Sequence, residues 1–215
     1  MIALFNNEKI VLCDLGGVLT TNPWEDFIEH QTIRNIFDDQ ELSKKVVREV
    51  FSIVGYTYKD PIKKTYWTEK DCWEIFLEKA KQEIPSLPKC VTVKHLMKMY
   101  SQYNHGILRT KVMKRIIGKH KQNKTKPIIF SNNTEFWFRK QFSELRLKHL
   151  FLDEEAILSH RIAMPKIKIL LDKDLLKKHI LEPYKCVPKE IIYYDDNAEC
   201  IDAAHNTGIN GILVC

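Results

Sequence analysis

Residues 9–20, KIVLCDLGGVLT, constrain the fold more than any other stretch of the chain. Four apolar residues, Ile10-Val11-Leu12-Cys13, run straight into a carboxylate, Asp14, and the chain turns at once through Gly16-Gly17. A short apolar run without polar alternation suits a parallel strand covered on both faces. A carboxylate at the carboxyl end of such a strand lies where open α/β sheets hold their ligands. Paired glycines let the backbone turn tightly and approach a bound group closely. The same pattern also fits a strand end followed by an ordinary turn. The segment therefore points to a fold class before it points to a function.

The remaining pattern sets the architecture. No convincing strand falls between residues 21 and 103. Asn22-Pro23 reads as a helix start with Glu25 and Asp26 in its first turn, and Trp24, Phe27, Ile28 and Phe37 supply an apolar side. Leu42, Val46, Val47, Val50, Phe51 and Val54 recur at helical spacing across residues 39–54, before Gly55. A polar, aromatic loop follows. Thr68-x-x-Asp71 then resembles a capping box for a helix carrying Trp73, Phe76, Leu77 and Ala80, which Pro85 and Pro88 end. Thr92 is the expected cap of a helix with Leu96, Met99, Tyr100 and Tyr103.

From residue 104 the pattern alternates. A helix near 110–120 precedes a strand, Pro127–Phe130, that ends on Ser131-Asn132-Asn133. A helix over 134–147, a strand at Ala156–Ser159 and a Lys- and Leu-rich helix over 166–180 follow. The strand Ile191–Tyr194 ends on Asp195-Asp196, a helix over 198–206 stops at Gly208, and Ile212–Val214 is a last strand. Such alternation implies right-handed βαβ units and a parallel sheet. The expectation is an α/β, Rossmann-like core from residues 1–20 and 104–215, with an all-helical insertion at 21–103.

Composition narrows the function classes. At 215 residues, 44% hydrophobic and 29% charged, the chain is sized for one globular α/β domain, or one domain carrying an insertion. No apolar run is long enough to span a bilayer. The segment MIALFNNEKIVL lacks a basic lead and a cleavage site, so the expectation is cytoplasmic. Cys13, Cys72, Cys90, Cys186, Cys200 and Cys215 show no CxxC spacing and read as reduced thiols rather than zinc ligands. The net charge is +6, and lysines concentrate between 111 and 126 without interleaved aromatic rings. That pattern fits a solvated helix face, so nucleic acid is not expected as a partner.

Three strand ends carry polar groups: Asp14, Ser131 and Asp195-Asp196. If those strands are neighbours, three carboxylates and a hydroxyl share one crevice. Like charges so placed need a proton or a cation. Mg²⁺ with oxygen ligands is the natural cation, and an aspartate beside it is a known nucleophile for phosphoryl groups.

The order DLGGVLT, a strand ending in SNN, a downstream lysine and a strand ending in DD resembles the haloacid dehalogenase (HAD) superfamily, in its phosphatase-like branch. The resemblance covers nearly the whole chain, the helical insertion matching a cap domain. It implies Asp14 as nucleophile, with Mg²⁺ held by Asp14, the Gly16 carbonyl and Asp196, supported by Asp195. It implies Ser131 as a phosphate contact, with Gly17, Asn132 and Asn133 as further substrate-binding residues. The related third motif, L-S-x-x-h-G-h-x-K-P with h apolar, aligns with Leu158-Ser159 and places its lysine at Lys166, with Lys168 as the substitute. Here Ala163 replaces the glycine and Ile167 the proline.

Two further departures bear on chemistry. Many related phosphatases carry a second aspartate where this chain has Gly16, so the general acid/base is unassigned. Thr20, a cap residue or water are the alternatives. Cys200 stands where related chains often have asparagine, with Asn197 or Glu199 as possible compensation. The histidines His105, His160 and His205 read as surface or core residues. The implied activity is a Mg²⁺-dependent phosphatase of a small phosphorylated metabolite, as monomer or homodimer. Alternatives are a non-catalytic phosphate-binding or interaction protein and, below it, a dehalogenase.

Overall fold

Val11, Leu12 and Cys13 are fully buried because β1 (Ile10–Cys13) lies at the centre of a sheet with helices on both faces. The computed structural model describes residues 10–21, 40–104, 110–122, 125 and 127–214. The helix expected from Asn22, with Trp24 and Phe37, and His105 lie outside them. The other strands are β2 (Pro127–Ser131), β3 (Ile157–Leu158), β4 (Ile191–Asp195) and β5 (Asn210–Leu213). All pairings are parallel, in the order β3-β2-β1-β4-β5. Cys13 is level with Ile129 of β2 and Tyr194 of β4, so the carboxyl ends of β1, β2 and β4 finish together. The expected α/β, Rossmann-like fold is what forms.

Side-chain alternation divides the sheet's apolar residues between two cores. Val11, Cys13, Ile129, Ile192 and Tyr194 pack with Met113 and Ile116 of α4 (Lys111–Gln122) and Phe138 and Phe142 of α5 (Glu135–Glu144). Leu12, Ile128, Phe130, Ile191 and Tyr193 pack on the other face. There they meet Ile169 and Leu170 of α6 (Lys166–Leu171) and Ile201 and Ala204 of α7 (Ala198–Asn206).

Between β1 and α4 the described chain holds three longer helices, α1 (Gln40–Val54), α2 (Glu69–Glu83) and α3 (Val93–Asn104). The Thr68–Asp71 capping box forms as read, and Thr92 Oγ1 accepts the His95 N–H at 3.2 Å. Val46, Val50, Trp73, Phe76, Leu96 and Tyr100 make a third core, joined by Trp137 from α5. Among the described residues, no helix is long and apolar enough to cross a membrane.

Two expectations need correction. The helix expected over 166–180 breaks at Asp172, whose carboxylate accepts the Asp174 and Leu175 N–H groups and starts a new turn. A side chain that captures backbone donors competes with helix continuation. The strand expected at Ala156–Ser159 has only Ile157 and Leu158 in the ladder, because Ser159 opens a helical turn, Ser159–Ile162.

Ala163 closes that turn with φ 53° and ψ 39°. This is the left-handed region, which favours glycine, so alanine is strained there. A Cβ there costs roughly 1–2 kcal/mol, partly offset by the extra unfolded-state freedom of glycine. Ala163→Gly should therefore raise unfolding stability by about 0.5–1 kcal/mol in urea melts; a loss of stability would contradict the strain.

Candidate active site

The Asp14 amide donates to the Tyr194 carbonyl (2.9 Å), which delivers the carboxylate at the shared edge of β1 and β4. Its Oδ1 accepts the Leu15 N–H (2.7 Å), while Oδ2 accepts from Lys166 Nζ. The same ammonium donates to Asp195 Oδ2 at 2.5 Å. Lys166 is only 4% exposed. Burial pushes its ammonium toward neutrality, but the Asp14 and Asp195 carboxylates outweigh burial and hold it charged. Lys166 is also the first residue of α6, where backbone N–H groups lack a helical partner. Its N–H donates to Asn132 Oδ1 (2.8 Å). Lys168 is exposed, so Lys166 is the lysine that reaches the strand ends.

Asp195 is completely buried and fully engaged. Oδ2 accepts from Lys166 and from the Tyr193 hydroxyl, and Oδ1 accepts the Asn197 N–H at 2.8 Å. Tyr193 lies two residues upstream on the same face of β4, which brings its hydroxyl to the carboxylate. Asp196 projects toward solvent beside it. Carboxylate oxygens of Asp14, Asp195 and Asp196 lie within 4.8 Å of one another. Partial burial, with Asp14 and Asp195 nearby, pushes the Asp196 carboxyl up to about 6. One ammonium among three carboxylates leaves negative charge uncompensated, and such a site favours a cation.

Gly17 makes room for this cluster. Its φ is +73°, and a Cβ there would sit 1.9 Å from Asp196 Oδ2. Gly16 bridges to Thr20 across the turn. The Thr20 hydroxyl is buried against the Leu15 and Thr21 carbonyls (3.1 and 2.9 Å), so it is spent on backbone.

On the β2 side, Ser131 is buried with its hydroxyl beside Asp14 and 3.3 Å from the Asn132 carbonyl. The Asn133 side chain is used internally: Oδ1 accepts the Thr134 N–H and Nδ2 donates to Gln141 Oε1. Asn197 caps α7 through the Glu199 and Cys200 N–H groups, and Glu199 is exposed. Cys200 is buried, and burial above all pushes its thiol up to about 11, so it sits there as a neutral thiol.

No family model matches the chain. Solved structures do. A HAD-family enzyme from Bacteroides thetaiotaomicron, in complex with magnesium and inorganic phosphate, superposes with a TM-score of 0.61 at 17% identity, over 96% of this chain and 93% of that one. The fold is that of HAD-family enzymes. A haloacid dehalogenase-like hydrolase from Xanthomonas campestris gives a TM-score of 0.67 at 12% identity, over 96% and 81%. L-2-haloacid dehalogenase from Xanthobacter autotrophicus, with chloropropionic acid covalently bound, gives 0.58 at 14%, over 95% and 76%.

The segment between α1 and α2 meets the turn Ser159–Ile162. The Tyr58 hydroxyl donates to the Arg161 carbonyl (2.6 Å), Tyr66 packs edge-on to His160, and Trp67 Nε1 donates to Thr57 Oγ1 (3.1 Å). Tyr56 is half-buried. Burial raises the pKa of its hydroxyl and the Lys166 charge opposes that, which puts Tyr56 within electrostatic reach of the site. His205 is exposed, with Nε2 3.0 Å from the Gly211 carbonyl. His160 is buried, as a core residue would be, with Nδ1 2.8 Å from the Asn133 carbonyl.

Removing one member of a buried ion cluster leaves an uncompensated charge, at a cost of about 3–5 kcal/mol. Lys166→Met should lose stability of that order at pH 7 by chemical denaturation. A change below about 1 kcal/mol, the scale of an exposed pair, would show the cluster to be solvated.

Proposed function

We propose that the chain is a Mg²⁺-dependent phosphomonoesterase that acts on a small phosphorylated metabolite through an aspartyl-phosphate on Asp14. The observation that carries this reading is the meeting of Asp14, Asp195 and Asp196 within 4.8 Å, with Lys166 bonded to the first two. Residues 1–20 and 104–215 would form the core and residues 21–103 a cap over its strand ends.

The residues present suit a magnesium ion. The donor set is hard oxygen, its charge is uncompensated, and the missing Cβ of Gly17 leaves space against Asp196. Asp14, Asp196 and the Gly16 carbonyl would hold it. Asp195, whose oxygens already accept three hydrogen bonds, would serve by aiming Lys166. When bound, Mg²⁺ supplies charge neutralisation at the phosphoryl oxygens.

The chain's own groups do the rest. A carboxylate oxygen of Asp14 attacks phosphorus, forming an O–P bond as the bond to the leaving oxygen breaks. Lys166 reduces the repulsion between that carboxylate and the dianionic substrate and stabilises the transferring group. The Ser131 hydroxyl and an Asn132 amide hydrogen donate to phosphoryl oxygens. Water then attacks phosphorus, releasing orthophosphate and restoring Asp14. The leaving oxygen takes its proton from water or from a cap group, because Gly16 has no side chain and the Thr20 hydroxyl is engaged.

That same gap favours a second reading, phosphate binding without turnover. A general acid/base usually contributes ~10²–10⁴-fold, so its absence lowers the expected rate. The dehalogenase alternative is weaker, since carbon–halogen displacement makes no use of Asp196 beside Asp14.

Purified protein should hydrolyse p-nitrophenyl phosphate with Mg²⁺ and stop on chelation with EDTA. Asp14→Asn should lower kcat by at least ~10³-fold, the scale seen when a nucleophile is removed. Full activity in that variant would refute the assignment, and Mg²⁺-dependent phosphate binding without turnover would select the second reading. Gly17→Ala, by displacing Asp196, should raise the Mg²⁺ concentration for half-activation by ~10-fold or more, the scale of a disturbed ligand support. An unchanged Mg²⁺ dependence would remove Asp196 from the metal site.

A further inference from the structure

His160 is bonded to none of Asp14, Ser131, Asn132 and Lys166, yet it is 1% exposed and engaged at both ring nitrogens. Nδ1 lies 2.8 Å from the Asn133 carbonyl and Nε2 lies 2.6 Å from Glu135 Oε2. Both partners only accept. A carbonyl carries no hydrogen. Glu135 is ionised: partial burial would lift its pKa, but hydrogen bonds from His160 and Arg139 and the charge of Arg161 bring it to about 2. Because a carbonyl cannot donate, the bond to Asn133 places a hydrogen on Nδ1. Tyr66 of the insertion faces the ring edge-on (5.2 Å), and Asp153 balances Arg139 and Arg161 beside Glu135.

The bond to Asn133 matters because of a shortage next door. Ser159 Oγ accepts the Asn133 N–H at 2.9 Å. It also lies within donating distance of two carbonyls, Gly55 at 2.8 Å and Asn133 at 3.1 Å. A hydroxyl has one hydrogen and serves one of them well. With His160 satisfying Asn133, Ser159 is free to hold Gly55 at the end of α1. Two adjacent residues thus fix the Ser131–Asn133 loop and join it to the helical insertion.

We propose that His160 is a positioning residue for phosphate: by donating to the Asn133 carbonyl it sets the loop that carries Ser131 and Asn132, and it releases the Ser159 hydroxyl to dock the insertion. This rests on the phosphomonoesterase reading. Loop placement acts on the phosphoryl group in ground and transition states alike, so its loss falls mainly on KM.

Two substitutions separate positioning from packing. In His160→Ala the donor is lost. In His160→Asn the amide nitrogen takes the place of Nδ1 and keeps the bond to Asn133, while the Glu135 bond is lost. With p-nitrophenyl phosphate and Mg²⁺, His160→Ala should raise KM, and the inhibition constant of orthophosphate, by roughly 10-fold with kcat within about threefold. His160→Asn should recover most of that loss. Both thermal melts should fall by similar amounts, because both variants lose the Glu135 bond. In ¹⁵N NMR of the unligated wild type, Nδ1 of the His160 ring should carry hydrogen.

A folded His160→Ala with unchanged KM and phosphate inhibition would overturn the proposal. So would His160→Asn behaving like His160→Ala, or a wild-type ring with a bare Nδ1. Wild-type protein with no turnover of the aryl phosphate would instead sink the phosphatase reading, and the positioning role with it, whatever the ring spectrum shows.

Discussion

An ammonium group shared by two buried carboxylates is the constraint on which the strand ends depend. Lys166 is 152 residues from Asp14 and 29 from Asp195, and all three are nearly or wholly withdrawn from water. None of these charges would be stable there alone, because an isolated buried ion is far costlier than a paired one. The pairing requires β1 and β4 to be neighbours and parallel, with α6 starting close to both. A different strand order, or a register shift in either strand, would strand a charge in the core. The sheet topology and the charge arrangement therefore select one another.

The same logic divides labour among the acidic residues. Asp195 is saturated by Lys166, Tyr193 and Asn197, so it contributes orientation. Asp196, one residue on, is reached by solvent and meets the Cβ-free face of Gly17. Adjacent positions at the end of one strand point apart, which gives one inward, fixed carboxylate and one outward carboxylate.

Much of this was legible in the primary structure, for identifiable reasons. An apolar run stopped by Asp14 marks a covered strand and its ligand end together. Counting from Leu158-Ser159 reaches Lys166 because the helical turn Ser159–Ile162 closes at Ala163 in the left-handed region and delivers the chain to the start of α6. Less visible features depend on side-chain partners. Tyr193 reads as one more aromatic in a buried strand until its hydroxyl is found on Asp195. Asp172 sits in a helical Lys/Leu pattern, and only its capture of two N–H groups breaks the helix. His160 has no periodic signal, since its partners lie in a loop and on a helix about 25 residues upstream; its adjacency to Ser159 was the one available hint.

Trp137 belongs by sequence to α5, on the sheet, but its ring lies in the core of the inserted helices. It stacks on Phe51 with ring centroids 6.5 Å apart and leans on Tyr100 at 5.6 Å. The indole of one element thus completes the packing of the helices between β1 and α4. Unfolding of those helices would therefore uncover a side chain that α5 itself contributes.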